Sequence, residues 1–118
     1  LAKMHKAGIK VLPFGDYGFA WIPMGTDSRD FEHFVNLMGF EPWEVLRAAT
    51  AYGGEAFMGD KMGEIKEGFL SDIIIIDGDP LADITLFQDR NNILAIMKDG
   101  QFHNPFQGRA AQEQRQVA

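Results

Sequence analysis

An aspartate between glycines is the residue of this chain whose type and position are best suited to chemistry. Asp16 lies in "FGDYGF", residues 14–19, directly after the apolar run "GIKVLP". A carboxylate at the end of a strand is a hard oxygen ligand for a metal ion and a base for proton transfer. An aspartate beside glycines is also typical of an Asx-turn, and local sequence alone favours that simpler interpretation.

The loop after Asp16 carries four large side chains: Tyr17, Phe19, Trp21 and Met24. If Asp16 acts in a site, we predict that they help to form a substrate pocket for a molecule with an apolar or aromatic part. The alternative is that they pack the loop onto its own helix. Gly15 and Gly18 are expected to let the backbone turn sharply there.

Other side chains that could bind metal are weaker candidates. The chain has three scattered histidines, which lack the spacing of a zinc ligand set, and we expect His33 to be an exposed helix residue. Four aspartates cluster later in the chain: Asp72, Asp77, Asp79 and Asp83. They lack the complete D-x-[DN]-x-[DN]-G calcium loop, and "DGDP" is a good turn by itself.

The composition argues against several classes of function. A net charge of −6 disfavours nucleic acid and anionic membranes as partners, because phosphate binding needs clustered Lys and Arg. No apolar run approaches the ~20 residues of a membrane span. The absence of cysteine removes disulfides, thiolate metal sites and cysteine nucleophiles. The chain shows no secretory segment, which favours the cytoplasm, and its 46% hydrophobic content predicts one domain or part of a larger one.

Helical periodicity follows the Gly-rich loop. Apolar residues recur at i, i+3, i+4 and i+7: Phe31, Phe34, Val35 and Met38. The pattern predicts a helix capped by Thr26 or Asp27 and stopped by Gly39. Pro42 fits the first position of a second helix, which the glycines at 53–54 are expected to interrupt before a further helical turn.

Strand patterns occur near both ends of the chain. Residues 9–14 predict a short strand that ends near Pro13. Residues 72–77 predict an apolar strand buried on both faces. "NNILAIMKDGQFH" predicts two strands joined by a turn at Asp99 and Gly100.

The start of the chain predicts missing neighbours. The first residues resemble the last turn of a helix, with Gly8 placed for a left-handed cap. A strand over 9–14 followed by helices is typical of a βα unit, yet no earlier strand is present to pair with it. We therefore expect the chain to be the tail of a longer polypeptide, with the rest of that polypeptide or copies of itself as partners.

Together these segments resemble the end of a metal-dependent amidohydrolase, of the imidazolonepropionase-like or dipeptidase-like branch. A "P-x-x-x-L-x-x-A-T" helix pattern is matched by Pro42, Leu46, Ala49 and Thr50. A "G-x-I-x-x-G-x-x-A-D-h-h-h-h-D" pattern is matched by Gly63, Ile65, Gly68, Ser71, Asp72 and Asp77, with Ser71 replacing the usual alanine. The first motif of the superfamily is commonly Gly-Thr-Asp, whereas this chain has Phe14, Gly15 and Asp16.

The resemblance implies an α/β fold that is incomplete alone. Residues 1–59 would be the last strand and helices of a TIM barrel, 60–105 would complete a small β-sandwich, and 106–118 would be a polar tail. Asp16 would be both a metal ligand and the catalytic proton shuttle. The cofactor would be a divalent metal, zinc first, as one or two ions, and the substrate would be a small molecule with an amide or other C–N bond.

The resemblance also implies that this chain lacks most of such a site. The superfamily takes its other ligands from earlier strands: a His-x-His pair, a carboxylated lysine or glutamate, and two further histidines. No His-x-His pair occurs here. One carboxylate cannot hold a catalytic zinc, so we predict that the isolated chain is inactive. The alternatives are a non-catalytic α+β assembly module and a self-associating fragment.

Overall fold

The computed structural model describes residues 1–58 and 61–104 and shows a mixed α/β chain. Its elements are α1 Ala2–Lys6, α2 Arg29–Met38, α3 Pro42–Arg47, a π-helical segment Ala48–Tyr52, α4 Gly53–Met58, β1 Ile73–Ile76, the 3₁₀ helices Ile84–Gln88 and Arg90–Asn92, β2 Ile93–Lys98 and β3 Gln101–Asn104. Among these elements there is no helix with the length and hydropathy to cross a membrane. The predicted polar tail, 106–118, lies outside the described residues.

The short helix α1 ends in a left-handed cap, as predicted. Gly8 has φ 78, and its N–H donates to the His5 carbonyl at 2.9 Å. The Ile9 N–H donates to the Met4 carbonyl at 3.0 Å. These two bonds form a Schellman motif, which satisfies the last carbonyls of the helix and directs the chain into residues 9–14.

Residues 9–14 form neither a helix nor a strand, so the predicted strand is not formed in this chain. A strand needs neighbours for its backbone N–H and C=O groups, and no described segment pairs with this one. Val11 and Pro13 are nevertheless buried, whereas Ile9 is half exposed. The segment is therefore held by side-chain packing rather than by a sheet.

The amphipathic helix α2 is confirmed, but its cap differs from the prediction. The cap is Ser28 rather than Thr26 or Asp27. The Thr26 hydroxyl donates to the Pro23 carbonyl at 2.8 Å, and the Asp27 carboxylate accepts the Gly25 N–H at 3.1 Å. Both predicted caps thus stabilise the turn before the helix, because short polar side chains also bond nearby backbone groups in turns.

The core joins the helices to the segment that precedes the Gly-rich loop. Its buried members are Val11, Phe31, Phe34, Phe40, Val45 and Ile84. Val45 on α3 is fully buried, and the rings of Phe34 and Phe40 lie 5.0 Å apart. Ile84 comes from the first 3₁₀ helix, so the second half of the chain contributes to the same core. This packing fixes α2 relative to residues 9–14.

The second helical region is continuous, contrary to the prediction that glycines interrupt it. Pro42 begins α3 as predicted, and a capping box of Glu41 and Glu44 precedes it. The helix then passes through the π-helical segment into α4, and Gly53 keeps helical dihedrals, with φ −61. A Cβ on Gly54 would lie 2.1 Å from the Met62 carbonyl oxygen. Gly54 therefore permits a close backbone approach rather than a helix stop.

Gly63 permits a second close backbone approach, to Thr50. Gly63 has φ +87, and a Cβ there would lie 2.2 Å from the Thr50 carbonyl oxygen. The backbones of Thr50 and Gly63, which belong to the two family-like sequence patterns, are therefore in direct contact. The contact ties the helical half of the chain to the β-rich half.

The β-rich half is a three-stranded antiparallel sheet in the order β1-β2-β3. The β2–β3 hairpin turns at Asp99 and Gly100, whose φ values are 48 and 76. Positive φ at both central positions is the pattern of the type I′ turn, so the hairpin prediction is confirmed. β1 pairs with β2, where Ala95 is buried.

β1 is not buried on both faces, contrary to the prediction. Ile74 is 56% exposed and Ile75 is 36% exposed. Consecutive strand residues point to opposite faces, so neither face of β1 is fully covered by the described residues, and the apolar run alone does not produce burial. β1 is also an edge strand of its sheet, and apolar edge strands readily pair with other chains.

Candidate active site

Asp16 lies on an exposed turn immediately after residues 9–14. The turn begins at Phe14, a non-glycine residue with φ 74, and closes at Gly18, with φ 111. Gly15 and Gly18 were both predicted to let the backbone turn. Gly18 does adopt a left-handed conformation, but at the start of the turn the left-handed residue is Phe14 rather than Gly15. A left-handed phenylalanine is rare and marks a backbone held by its surroundings.

The turn is held by Asp30, in the first turn of α2. The Phe14 N–H donates to Asp30 Oδ2 at 2.8 Å. The same carboxylate lies near the Tyr17 hydroxyl, on the other side of Asp16. Asp30 thus bonds the backbone before Asp16 and interacts with the side chain after it. Sequence reasoning missed this role, since an acid in a first helical turn is already explained by the helix dipole.

The surroundings of Tyr17 change the pKa of its hydroxyl. Burial, followed by the hydrogen bond and negative charge of Asp30, raises the pKa of Tyr17 to about 12. All three causes favour the neutral phenol over the phenolate. At neutral pH Tyr17 is therefore protonated.

The other predicted pocket residues form a small exposed hairpin beyond Tyr17. The Gly18 N–H donates to the Ile22 carbonyl at 2.9 Å, and the Ile22 N–H donates to the Phe19 carbonyl at 3.1 Å. Phe19 and Trp21 stack with ring centroids 5.5 Å apart, and Trp21 is 78% exposed. The pair presents a flat apolar surface to the outside, whereas Tyr17 interacts with Asp30 on α2, in line with the alternative of packing onto the helix.

An apolar cleft of about 730 Å³ opens on the other side of the turn. It is lined by Phe14 and Gly15 on one side and by the glycines of α4 and Phe57 on the other. Tyr17, Phe19 and Trp21 do not line it. The structure therefore separates the predicted aromatic surface from the concave surface beside Asp16.

The weaker metal candidates have structural partners. His33 Nδ1 lies 3.9 Å from Asp30 Oδ1, one helical turn away. Asp72 accepts a hydrogen bond from Lys98 Nζ and one from the Asp99 N–H at 2.7 Å. The Lys98 bond, and then the Asp99 bond, hold the pKa of Asp72 below its usual range. The Asp72 side chain thus connects the start of β1 to the β2–β3 turn.

The aspartates after β1 stabilise turns. Asp79 Oδ1 accepts the Leu81 N–H at 2.9 Å. Asp83 Oδ1 accepts both the hydroxyl and the N–H of Thr85, which lowers the pKa of Asp83. These bonds account for acids in this region without a calcium ion.

The described residues alone do not fit a metal ion. Across residues 1–58 and 61–104, no three His, Asp or Glu side chains are grouped closely enough to hold one. The exposed Asp16 carboxylate fits the role of one oxygen ligand. A complete site would need donors from outside these residues.

Comparison with known proteins supports one family. A model described as "Amidohydrolase family" matches residues 1–102. The ochratoxinase of Aspergillus niger is 29% identical over 100 residues, which is 80% of this chain and 19% of that protein. The chain therefore spans about a fifth of the length of this relative. A 5′-deoxyadenosine deaminase of Methanopyrus kandleri is 41% identical over 49 residues, 39% of this chain and 11% of that protein.

Solved structures agree with the sequence match. The crystal structure of A. niger ochratoxinase aligns with a TM-score of 0.76 at 26% identity, covering 86% of this chain and 23% of that one. A Xaa-Pro dipeptidase with methionine bound in its active site aligns with a TM-score of 0.72 at 28% identity, covering 86% and 24%. With the family model spanning almost all described residues, this chain belongs to the amidohydrolase family.

Proposed function

We propose that this chain is the C-terminal portion of a metal-dependent hydrolase that breaks amide or other C–N bonds in a small molecule. Family membership supports the hydrolase class. Its relatives include a dipeptidase and a deaminase, and both names describe the breaking of a C–N bond. A divalent metal, most simply zinc as one or two ions, would supply an activated water.

The position of Asp16 carries this proposal. Its carboxylate is exposed on a turn whose first residue, Phe14, is bonded to Asp30, and α2 is anchored in the core by Phe31 and Phe34. A carboxylate presented by a fixed turn is suited to ligate a metal and to accept a proton. We propose both roles for Asp16, with the remaining ligands supplied by polypeptide outside this chain.

We further propose how the chain divides within such an enzyme. Residues 1–59 would complete a barrel through the unpaired segment 9–14, and 60–105 would complete a β-sandwich through the open face of β1. Tyr17, Phe19 and Trp21 would contribute the flat apolar part of the substrate pocket. The stacked and exposed pair of Phe19 and Trp21 supports this role, because planar apolar groups stack favourably on such rings.

The test compares Asp16→Asn with Asp79→Asn in the full natural polypeptide that contains this chain. Both variants remove one exposed carboxylate, and Asp79 only stabilises a distant turn. We measure hydrolysis of a panel of dipeptides and N-acyl amino acids with added Zn²⁺, and metal content by mass spectrometry. Asp16→Asn should lower kcat by ~100-fold or more and reduce bound metal, whereas Asp79→Asn should change neither.

The isolated 118-residue chain provides the complementary test. We expect no turnover from it with added Zn²⁺, because it offers one carboxylate where a catalytic zinc needs three or more protein ligands. Robust turnover by the isolated chain that Asp16→Asn abolishes would contradict the proposed division of the site. Equal activity of both variants in the full polypeptide would remove Asp16 from the mechanism.

A second candidate function is assembly without catalysis, favoured by the exposed apolar side chains. Phe57 is 82% exposed and Ile74 is 56% exposed, and both lie in regular elements. As an α+β module or fragment, the chain would pair with copies of itself through these surfaces. Sedimentation of the isolated chain tests this, and a clean monomer at all concentrations would count against it.

A further inference from the structure

Asp30 makes more contacts with the Asp16 turn than a helix-dipole role requires. Its Oδ2 accepts the Phe14 N–H at 2.8 Å, while its Oδ1 faces His33 at 3.9 Å. The same carboxylate lies near the Tyr17 hydroxyl and raises its pKa. A hydrogen bond to a charged acceptor is stronger than one between neutral groups. The bond to the Phe14 N–H therefore holds the backbone two residues before Asp16.

The bond to Phe14 also holds an unfavourable backbone conformation. Phe14 has φ 74, in the left-handed region that a side chain with a Cβ avoids. Its ring contacts the buried Phe31 ring, with centroids 5.3 Å apart. The Phe31 contact and the Asp30 bond both come from α2, so the helix imposes the conformation from which the turn proceeds.

A neighbouring acid shows that this arrangement is specific to Asp30. Glu32 lies in the same helical turn, but its carboxylate accepts a hydrogen bond from Gln88 Nε2 at 2.8 Å. Both acids are equivalent in charge and in their relation to the helix dipole. Only Asp30 is bonded to the turn that carries Asp16.

We propose that Asp30 is a positioning residue that clamps the turn of residues 14–17 through the Phe14 N–H and so sets the direction of the Asp16 carboxylate. The inference rests on the proposed function, in which Asp16 is the reacting carboxylate. Misplacement of a reacting group by about 1 Å can cost ~100-fold in rate without changing substrate affinity. Loss of the clamp should therefore lower kcat and leave KM nearly unchanged.

The experiment compares Asp30→Asn with Glu32→Gln in the full natural polypeptide. Each variant removes one charge from the same helical turn and keeps the side-chain shape, so Asp30→Asn leaves the Phe14 N–H only a neutral amide oxygen, a weaker acceptor than the carboxylate. The first readout is hydrogen exchange at the Phe14 amide, which needs no activity. We expect exchange there to accelerate about tenfold or more in Asp30→Asn and to stay unchanged in Glu32→Gln. The second readout is the kcat and KM for hydrolysis of the dipeptide panel.

We expect Asp30→Asn to lower kcat about 10- to 100-fold with KM within about twofold, and Glu32→Gln to leave both unchanged. If Asp30→Asn folds poorly, Asp30→Glu keeps the charge and should retain more Phe14 protection and more kcat than any folded fraction of Asp30→Asn.

Three outcomes separate the inference from the proposed function. Unchanged Phe14 exchange in Asp30→Asn would overturn the clamp, whatever the activity. Faster exchange with a kcat equal to that of Glu32→Gln would overturn the positioning role. A wild-type protein that hydrolyses no amide would overturn the proposed function and the catalytic consequence, while Phe14 exchange would still decide whether the clamp exists.

Discussion

Replacing Gly63 by alanine tests the backbone contact that joins the two halves of the chain. Gly63 has φ +87, so any side chain there is strained by about 1–2 kcal/mol. The added Cβ would also lie 2.2 Å from the Thr50 carbonyl oxygen and 2.7 Å from its carbon. These distances fall ~1 Å short of van der Waals contact, and the neighbour is helix backbone that cannot rotate away.

Gly68 provides a matched control for the strain alone. It has φ +83, and a Cβ there meets nothing within 4 Å. Gly68→Ala should therefore cost only the left-handed strain, about 1–2 kcal/mol. Gly63→Ala adds an overpacking cost of about 1–3 kcal/mol, which gives about 2–5 kcal/mol in total. The difference between the two variants isolates the contact with Thr50.

Urea unfolding followed by circular dichroism measures both free energies of unfolding. We expect unchanged m-values, with a lower midpoint for Gly63→Ala than for Gly68→Ala. Two variants equal within about 0.5 kcal/mol would refute the reasoning, because the clash would then be relieved at no cost. In that case the close approach of Gly63 to Thr50 would not hold the helical half to the β-rich half.

Two further predictions concern local contacts. Glu44→Ala removes the carboxylate that accepts the Glu41 N–H at 2.9 Å and should lower the free energy of unfolding by about 1 kcal/mol. Glu44→Gln keeps an oxygen acceptor and should lose less; thermal unfolding distinguishes them, and equal losses would contradict this cap. Lys98 and the Asp99 N–H lower the pKa of Asp72 in the folded chain. The ionised Asp72 should therefore stabilise the fold above its unfolded-state pKa of about 3.9. This stabilisation should disappear as the pH falls through the lower folded-state pKa. Asp72→Asn should therefore lower the urea midpoint at about pH 7 and match the wild type at about pH 2, and an equal deficit at both pH values would exclude this ion pair as the cause.

Local patterns in the sequence predicted most of the regular structure. The period of the apolar residues located α2, Pro42 located the start of α3, and the turn at Asp99 and Gly100 located the hairpin. Each of these depends on residues within a few positions of one another, where spacing alone determines which side chains share a face or a turn. The combined spacing of several such patterns was also enough to identify the family.

Long-range contacts account for what local patterns missed. The glycines at 53–54 were predicted to stop a helix, yet Gly54 is needed because residue 62 approaches it. Strand formation at 9–14 and burial of Ile74 depend on neighbouring strands and a covering layer, which local sequence cannot supply. Each of these features is decided by a partner far away along the chain.

The candidate site likewise has one feature that the sequence determined and one that only the tertiary structure determined. Sequence by itself determined that a carboxylate, Asp16, follows an apolar segment on a glycine-flanked turn, because residue type and order suffice for that. Tertiary structure alone decided that Asp30, 14 positions later, holds this turn through Phe14. The physical reason is that packing of Phe31 in the core brings the first turn of α2 against residue 14, a contact that no spacing rule encodes.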